Sequence, residues 1–523
     1  MDGAVTVSED DDPFGKVLFN DPSARALSRV GVIDVGSNSV RMVVFDGAAR
    51  SPAFFFNEKV LCGLGRGLYE SGRLHPEGRV RALAALKRFA LLSRSMALKS
   101  VHTVATAAVR EAADGPEFCA EVEAATGLRL HVIDGQEEAR LSGQGVLLGW
   151  PGAEGLVCDI GGSSMELAGI SAGAVERRAT SPLGPFWLQG VPGGRKGLKV
   201  HVRAELEKLV AQVGSDYERL YLVGGSWRAL ARLDMLRRDY PLTVLHEYEM
   251  TPRAIRRTID WLEDQDVNLL KARTGLSRGR IALVPLAAVV LRQVLWRLRP
   301  KHIHISAYGL REGVLYEQMP PSLRARDPLI EACSHAEQAN ARMPGFGRHL
   351  FGFLRPLYTN VPSARLRLVK AACLLHDVSW RAHPDYRAEA CFDNATRANL
   401  GGLDHRGRVF LGVALMHRYR NSGASEGRMA RLAGLLSETD RKQAEVLGKA
   451  MRFGAMFSAD GPETAGRLRY YPKKRELELV LTPGSQGLYG EVVEARFKSL
   501  AKALGCDMRM RIGRTRAPRP ANA

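Results

Sequence analysis

The sequence is first informative through what it lacks. Its seven cysteines are scattered along 523 residues and never form a Cys-x-x-Cys pair, which excludes a recognisable disulfide framework or zinc site. It contains no run of about twenty apolar residues, the length needed to span a bilayer. We therefore expect a soluble protein of the reducing cytoplasm, without a membrane partner.

Acidic residues are the minority among the charged ones, and the formal net charge is +19. Such a field raises the local concentration of anionic ligands without identifying them, so nucleic acid, inorganic polyphosphate and anionic lipid all fit the charge. A basic surface that only keeps the protein soluble is the alternative interpretation. The acidic stretch from Met1 to Asp12 leads into no apolar segment, which argues against a secretory signal and predicts a disordered leader over residues 1–27.

A Walker-type phosphate loop, which ends in Gly-Lys-Ser or Gly-Lys-Thr between a strand and a helix, is also absent. The sequence instead repeats a short phrase: Asp-Val-Gly-Ser-Asn-Ser over residues 34–39 and Asp-Ile-Gly-Gly-Ser-Ser over residues 159–164. Apolar runs of β type flank each copy, so each is predicted to form strand, tight loop, strand. One such loop arises by chance in turns, whereas two copies in matching contexts indicate a duplicated domain.

The two repeated loops have the composition of an anion cradle. Small side chains let successive backbone N–H groups converge on a phosphate. An aspartate that ends the first strand can hold a divalent ion against that phosphate, which makes Asp34 a candidate metal ligand, although it is also an ordinary turn former. The candidate phosphate-binding residues are Gly36, Ser37, Asn38, Ser39, Gly161, Gly162 and Ser163.

Strands and helices alternate around these loops, which predicts an α/β architecture. Apolar residues at helical spacing predict a helix from about Pro76 to Ala97, and acidic residues in a favoured first turn predict another near residue 134. A third glycine loop over residues 224–226 follows a predicted strand and begins a helix. It is either a further anion contact or a simple turn.

The pattern changes to long helical stretches after Pro321, which indicates a separate, mainly helical C-terminal domain. There His376 and Asp377 lie on an apolar helix and resemble the doublet of the HD phosphohydrolases. A metal site of that kind would need further ligands, for which the candidates are His335, His349, Asp404 and Asp440. Strand-like runs over 476–481 and 508–512 predict a small terminal α/β piece, and residues 513–523 read as a basic, disordered tail.

Three phrases, over residues 32–39, 137–140 and 159–163, have the order and spacing of one family. By these residues the sequence resembles the exopolyphosphatase / guanosine pentaphosphate phosphohydrolase (Ppx/GppA) family. The resemblance implies a duplicated actin-like (RNase H-like) fold with lobes at 28–147 and 148–320. It further implies an HD-like helical domain at 321–460, the α/β piece at 461–512, and a homodimer.

The resemblance also implies a chemistry, which is Mg²⁺-dependent attack of water on the terminal phosphate of inorganic polyphosphate. Glu138 corresponds to the general base and Arg110 to a phosphate-binding arginine. Asp159 and Glu166 correspond to magnesium contacts. Each also has a plainer interpretation: Glu138 stabilises a helix dipole, Arg110 forms a surface ion pair, and Glu166 is a solvated strand residue.

Two positions depart from the family pattern, since Ser163 replaces a glycine and Met165 replaces a hydroxyl-bearing residue. A positive φ at Ser163 would cost about 1 kcal/mol of strain. These departures keep open a binding protein that senses polyphosphate or guanosine tetraphosphate without turnover. Guanosine pentaphosphate is the alternative substrate, a sugar or acetate-type kinase is the rival enzyme of the same fold, and no nucleic acid partner is expected.

Overall fold

A computed structural model of the chain describes residues 29–47, 50–423 and 426–513. The chain forms two compact units, an N-terminal unit that ends at Pro328 and a C-terminal unit that begins at Leu329. The leader predicted over residues 1–27 and residues 514–523 of the predicted tail lie outside the described residues.

The first lobe of the N-terminal unit is built on a five-stranded sheet. Its strands are β1 (Val30–Val35), β2 (Ser39–Phe45), β3 (Phe54–Leu61), β4 (Ser100–Ala105) and β5 (His131–Val132). They lie in the order β3-β2-β1-β4-β5. The first three strands are antiparallel neighbours, and β4 and β5 continue the sheet parallel to β1.

The second lobe is built on a six-stranded sheet. Its strands are β6 (Gly155–Ile160), β7 (Met165–Ser171), β8 (Ala174–Ser181), β9 (Arg219–Val223), β10 (Tyr248–Met250) and β11 (His302–Ile305). Their order is β10-β11-β9-β6-β7-β8. β6, β7 and β8 are antiparallel neighbours, β9 and β11 run parallel to β6, and β10 closes the far edge antiparallel to β11.

The two sheets therefore share one topology, because β8-β7-β6-β9-β11 repeats the order β3-β2-β1-β4-β5. The predicted duplication is confirmed, and each repeated phrase forms the loop of a β-hairpin as predicted. The central strands β1 and β6 are buried on both faces, which explains why they read as continuous apolar runs rather than alternating ones.

Helices surround both sheets of the N-terminal unit. They are α1 (Leu68–Ser71), α2 (Pro76–Ser95), α3 (Ala107–Glu111), α4 (Gly115–Thr126), α5 (Gly135–Gly149), α6 (Pro185–Leu188), α7 (Gly194–Val213), α8 (Gly225–Arg237), α9 (Pro252–Glu263), α10 (Val267–Thr274), α11 (Arg278–Leu298), α12 (Leu310–Glu317) and α13 (Pro321–Arg324). α2 matches the helix predicted from Pro76, and α5 begins where the acidic first turn predicted it. The strand that precedes α5, β5, has only two residues.

Helix α11 meets the length and composition required to cross a membrane, which the sequence pattern did not indicate. More than half of its apolar window is buried inside the protein, and residues such as Ile281, Val284 and Leu291 belong to the core of the second lobe. Helix α11 therefore packs as a core helix of the second lobe.

The C-terminal unit is mainly helical. Its helices are α14 (Pro328–Asn340), α15 (Phe346–Leu354), α16 (Ser363–Leu375), α17 (Arg387–Arg397), α18 (His405–Tyr419), α19 (Gly427–Ala433), α20 (Glu438–Phe457), α21 (Pro462–Ala465) and α22 (Glu491–Leu504). A sheet of β12 (Gly466–Tyr471), β13 (Glu476–Leu481) and β14 (Asp507–Ile512) follows. The strands predicted at β13 and β14 are present, whereas β12 was not predicted. His376 and Asp377 follow the end of α16 instead of lying within a helix.

Candidate functional site

The two repeated loops adopt the same turn. The N–H of Gly36 donates to the carbonyl oxygen of Ser39 at 3.1 Å, and at the equivalent position the N–H of Gly161 donates to that of Ser164 at 2.9 Å. Strand register repeats as well, because Asp34 lies opposite Arg41 and Asp159 lies opposite Glu166. The duplication thus extends from the topology of the sheets to individual backbone hydrogen bonds.

The two loops touch each other. The Ser163 hydroxyl donates to the Ser37 hydroxyl at 2.9 Å, which joins one lobe to the other. A Cβ atom on Gly162 would lie 2.9 Å from the Cβ of Ser37, so this approach requires a glycine. The sequence predicted two cradles, and the structure brings them together at one place.

The departures from the family pattern do not strain these loops. Ser163 is not among the non-glycine residues with positive φ in the described chain, so the strain expected there is absent. Met165 is fully buried and belongs to the core of the second lobe. Ser163 therefore adds no backbone strain to its loop, and Met165 contributes an apolar side chain to the core.

Both loops line a pocket of about 530 Å³ in the N-terminal unit, a size typical of ligand sites. The third glycine loop lines it too, with Gly224, Gly225 and Ser226. Gly225 begins the 13-residue helix α8, whose N-terminal N–H groups favour anions. Of the residues predicted for the site, those that line the pocket are Asp34, Gly36, Ser37, Asn38, Ser39, Glu138, Asp159, Gly161 and Gly162.

Glu138 lies in the first turn of α5 and is 7 % exposed. The carboxylate of Asp134 caps this helix by accepting the N–H of Glu137 at 2.7 Å. α5 packs so closely on α12 that a Cβ atom on Gly145 would lie 2.1 Å from the Gly309 carbonyl oxygen, which fixes the helix against the pocket wall. Burial raises the pKa of Glu138 to about 8. The positive charge of Arg110 opposes this increase, and the negative charge of Asp159 adds to it.

The two repeated aspartates are held by different partners. Asp159 accepts a hydrogen bond from the hydroxyl of Ser142, which lies one turn after Glu138 on α5. Burial raises the pKa of Asp159, and the nearby charge of Asp34 acts in the same direction. Asp34 itself accepts a bond from Nη1 of Arg311 at 3.0 Å. These carboxylates thus lie near one another in a partly dry pocket.

Cations that were not predicted from the sequence complete the pocket. They are Arg41, Lys59, Arg228, Arg280 and Arg311. Burial and the repulsion of its neighbours lower the pKa of Arg228 to about 10, and the same two effects lower the pKa of Lys59. A set of like charges held together in this way binds anions with many negative charges. The position of Arg41, opposite Asp34 in the first hairpin, was the one signal available from sequence.

Three predicted site residues do not line the pocket. Arg110 lies beside it and donates to Oε2 of Glu138 at 3.3 Å and to the Ile133 carbonyl oxygen at 2.9 Å. Glu166 is 1 % exposed and accepts a bond from Thr180, with a pKa that burial and the charge of Glu138 raise well above its usual range. Ser163 does not line the pocket, but its hydroxyl donates a hydrogen bond to Ser37 in the first loop.

The HD doublet has no metal-binding geometry. Both oxygens of Asp377 accept hydrogen bonds from Arg342 at 2.7 Å, and Tyr419 donates to the same carboxylate at 3.0 Å. Nδ1 of His376 bonds with the Cys373 carbonyl oxygen. Three of the four proposed further ligands are used elsewhere, since His349 pairs with Glu463, Asp404 caps α18 and Asp440 pairs with Arg365. Among the described residues no group of three or more His, Cys, Asp or Glu side chains could hold a metal.

Comparison with known proteins agrees with this architecture. Among curated relatives, retrograde regulation protein 2 of Saccharomyces cerevisiae is 24% identical over 455 residues, 76% of this chain and 74% of that protein. Exopolyphosphatase 1 of Mycobacterium tuberculosis is 26% identical over 305 residues, 56% of this chain and 88% of that protein. The solved structure of an exopolyphosphatase from Cytophaga hutchinsonii matches 57% of this chain and 99% of its own with a TM-score of 0.51 at 24% identity, which supports the two-lobe actin-like fold.

Family models cover both units. The model of the C-terminal part of exopolyphosphatases matches residues 357–510. The Ppx/GppA phosphatase family model matches residues 43–322, more than half of the 523 residues. The chain therefore belongs to the Ppx/GppA phosphatase family and is a hydrolase that acts on phosphoric anhydride bonds.

Proposed function

We propose that this protein is an exopolyphosphatase that removes the terminal phosphate of inorganic polyphosphate. The observation that carries the proposal is the convergence of two equivalent hairpin loops, a cluster of cations and the buried Glu138 on one pocket. Phosphoryl transfer needs little covalent help from a protein, because positioning and electrostatic stabilisation of the equatorial oxygens supply most of the catalysis. The pocket offers both.

In this proposal each part of the pocket has one task. Backbone N–H groups of the loops over residues 36–39 and 161–163 hold the terminal phosphoryl group. Arg228, Arg280 and Arg311 neutralise its charge and that of the following phosphates. Glu138 orients the attacking water and accepts its proton, while Arg110 fixes the Glu138 carboxylate from behind.

The carboxylates of the pocket fit a magnesium ion that the substrate completes. Mg²⁺ is usually held by one or two carboxylates together with substrate phosphates, so a closed protein cage is not required. Asp159 and Asp34 would hold the ion, and their mutual repulsion is the electrostatic reason to expect a cation there. When bound, Mg²⁺ supplies additional charge neutralisation at the phosphate oxygens. Glu166 is buried and does not line the pocket, which favours a supporting role over direct contact with the magnesium ion.

A time course of phosphate release from long-chain polyphosphate with Mg²⁺ tests the proposal, with Glu138→Gln as the matched control. We expect release from the wild type and almost none from the variant. Guanosine pentaphosphate run in parallel decides the substrate, and ATP with small acceptors tests the kinase alternative. Absence of release with every substrate would contradict the proposed activity.

A regulator that binds polyphosphate or guanosine tetraphosphate without turnover is the second candidate. The observation that favours it is the raised pKa of Glu138, which keeps this base protonated near neutral pH in the free protein. The yeast relative is named as a regulatory protein and matches both units. Tight binding of polyphosphate without release would support this candidate.

We also propose a cytoplasmic homodimer. All seven cysteines are free, as a reducing compartment requires. Sedimentation of the purified chain measures its oligomeric state.

A further inference from the structure

The loop over residues 306–309 joins β11 to α12 and forms part of the pocket wall. The Ala307 carbonyl oxygen accepts a hydrogen bond from Nη1 of Arg228 at 2.8 Å. A Cβ atom on Gly309 would lie 3.7 Å from Oδ2 of Asp159, so the same loop also passes beside that carboxylate. The position of this loop therefore helps to fix the Arg228 guanidinium in the pocket.

His246 bonds to the same residue of this loop. It lies in the segment before β10, is buried and does not line the pocket. The N–H of Ala307 donates to Nδ1 of His246 at 3.3 Å, so Ala307 is bonded to both His246 and Arg228. An imidazole that accepts at Nδ1 carries its proton on Nε2. Oε1 of Glu247 lies 3.7 Å from Nε2, and its negative charge favours this tautomer.

His246 also packs against the helix that carries the proposed general base. A Cβ atom on Gly149, the last residue of α5, would lie 2.8 Å from the His246 ring, so this contact requires a glycine. The ring centroids of His246 and Trp150, which follows α5, are 4.5 Å apart. Those of His246 and Tyr308 are also 4.5 Å apart. His246 thus contacts both the end of α5 and the loop that bonds to the pocket arginine.

We propose that His246 is a positioning residue of the reaction, which fixes Ala307 through Nδ1 and, through Ala307, the guanidinium of Arg228. It acts from outside the pocket and touches neither the substrate nor the reacting atoms. The inference rests on the proposed function for the task of Arg228, whereas the link between the two residues rests on two hydrogen bonds. A misplaced group in an active site can cost up to about 100-fold in rate, so indirect support of this kind is measurable.

Two substitutions separate the acceptor of His246 from its ring. His246→Phe keeps an aromatic ring against Trp150 and Tyr308 but removes the acceptor, whereas His246→Asn loses the ring and keeps an acceptor oxygen near the position of Nδ1. For phosphate release from polyphosphate, kcat/KM should fall about tenfold in His246→Phe and stay within about threefold of the wild type in His246→Asn. The loss in His246→Phe should be divided between kcat and KM as it is in Arg228→Met, which removes the donor to Ala307.

The double variant tests whether His246 acts through Arg228. In the Arg228→Met background, His246→Phe should lower kcat/KM by less than about twofold, because effects that pass through one residue do not add. His302→Phe is the matched control, since His302 is exposed and pairs with Glu249 at 2.8 Å, and it should leave both constants unchanged. A loss from His246→Phe that is as large in the Arg228→Met background as in the wild type would overturn the proposal. An equal loss in His246→Asn and His246→Phe would show that the histidine only packs.

The same double-mutant cycle in denaturant unfolding needs no substrate. The shifts of the unfolding midpoint in His246→Phe and Arg228→Met should not sum to that of the double variant, because both variants break bonds to Ala307. If the wild type releases no phosphate while the unfolding shifts are non-additive, the proposed function fails and the link between the two residues stands. Additive shifts would contradict the link whatever the activity.

Discussion

Glu138 in the pocket and Asp377 in the C-terminal unit are buried to a similar degree, 7 % and 4 % exposed, yet they are compensated very differently. Glu138 has one charged partner, Arg110, at 3.3 Å, and burial raises its pKa to about 8. Burial also opposes the ionisation of Asp377, but two bonds from Arg342 and one from Tyr419 outweigh it, so its pKa is lowered.

This difference separates the proposed general base from a structural carboxylate. A poorly compensated base keeps a pKa near the working pH and can exchange protons with water. A carboxylate held by a bidentate guanidinium is fixed, ionised and unavailable to a metal. The HD phrase in this sequence therefore marks a structural ion pair, although its residue types are those of a metal site.

The largest expected effect comes from removing the carboxylate of the proposed general base, Glu138. Glu138→Gln should lower the turnover number for polyphosphate by about 10²- to 10⁴-fold, the usual contribution of a positioned general base. Binding and folding should persist, because the amide keeps the shape of the side chain. Phosphate release and circular dichroism on the same preparation measure both. A variant with wild-type turnover would remove Glu138 from the mechanism.

Removal of the structural carboxylate, Asp377, should lower stability and leave turnover nearly unchanged. Asp377→Ala leaves Arg342 without its partner, and we expect a loss of about 1–3 kcal/mol in the free energy of unfolding, since Arg342 is half exposed and partly rehydrates. Turnover should stay within twofold. Denaturant unfolding and phosphate release check the two expectations, and loss of turnover at unchanged stability would contradict the comparison.

Ser142→Ala tests the support of Asp159. The hydroxyl of Ser142 is the side-chain donor to this aspartate. Under the proposed role of Asp159 as a magnesium ligand, loss of this bond should cost about 10- to 100-fold in metal affinity or activity. The Mg²⁺ concentration for half-maximal activity should rise, as should that for half-maximal thermal stabilisation. Ser142→Thr should restore both. Equal Mg²⁺ dependence in wild type and Ser142→Ala would show that Ser142 only fills space.

The pH dependence follows from the raised pKa of Glu138. Because the base must be ionised, kcat/KM should rise up to about tenfold per pH unit below pH 8 and level off above it. The folded state holds this proton more tightly than the unfolded state, so the contribution of Glu138 to stability falls as pH rises from about 4.5 to 8. Glu138→Gln should therefore gain stability over the wild type at pH 8.5 but not at pH 4. A difference in the free energy of unfolding between Glu138→Gln and the wild type that is the same at every pH would contradict a raised pKa of Glu138.

The smallest effect is expected at the contact between the loops. Ser163→Ala removes the hydrogen bond to Ser37, which is worth about 0.5–1.5 kcal/mol. Ser163→Gly removes the same bond and adds backbone freedom without relieving strain, so it should be no more stable than Ser163→Ala. Denaturant unfolding of both variants checks the order. A more stable glycine variant would indicate strain at this position.

The sequence predicted the parts of the site that depend on local patterns. The hairpin loops, the start of α5 and the duplication follow from residue spacing alone, and Glu138 and Asp159 line the pocket with them. Lys59 and Arg280 come from distant segments, and only the folded chain brings them together. The alternation of residues along β7 did not show that Glu166 is buried and does not line the pocket. Nothing near Asp377 in the sequence indicates that Arg342 is its partner.

A structure of the Glu138→Gln variant with bound polyphosphate tests the central claim most directly. We predict that the terminal phosphoryl group lies between the loops over residues 36–39 and 161–163. The amide at position 138 should lie within hydrogen-bond distance of a water that is in line with the terminal bridging bond. A terminal phosphate bound away from both loops, or with residue 138 out of reach of any such water, would contradict the account.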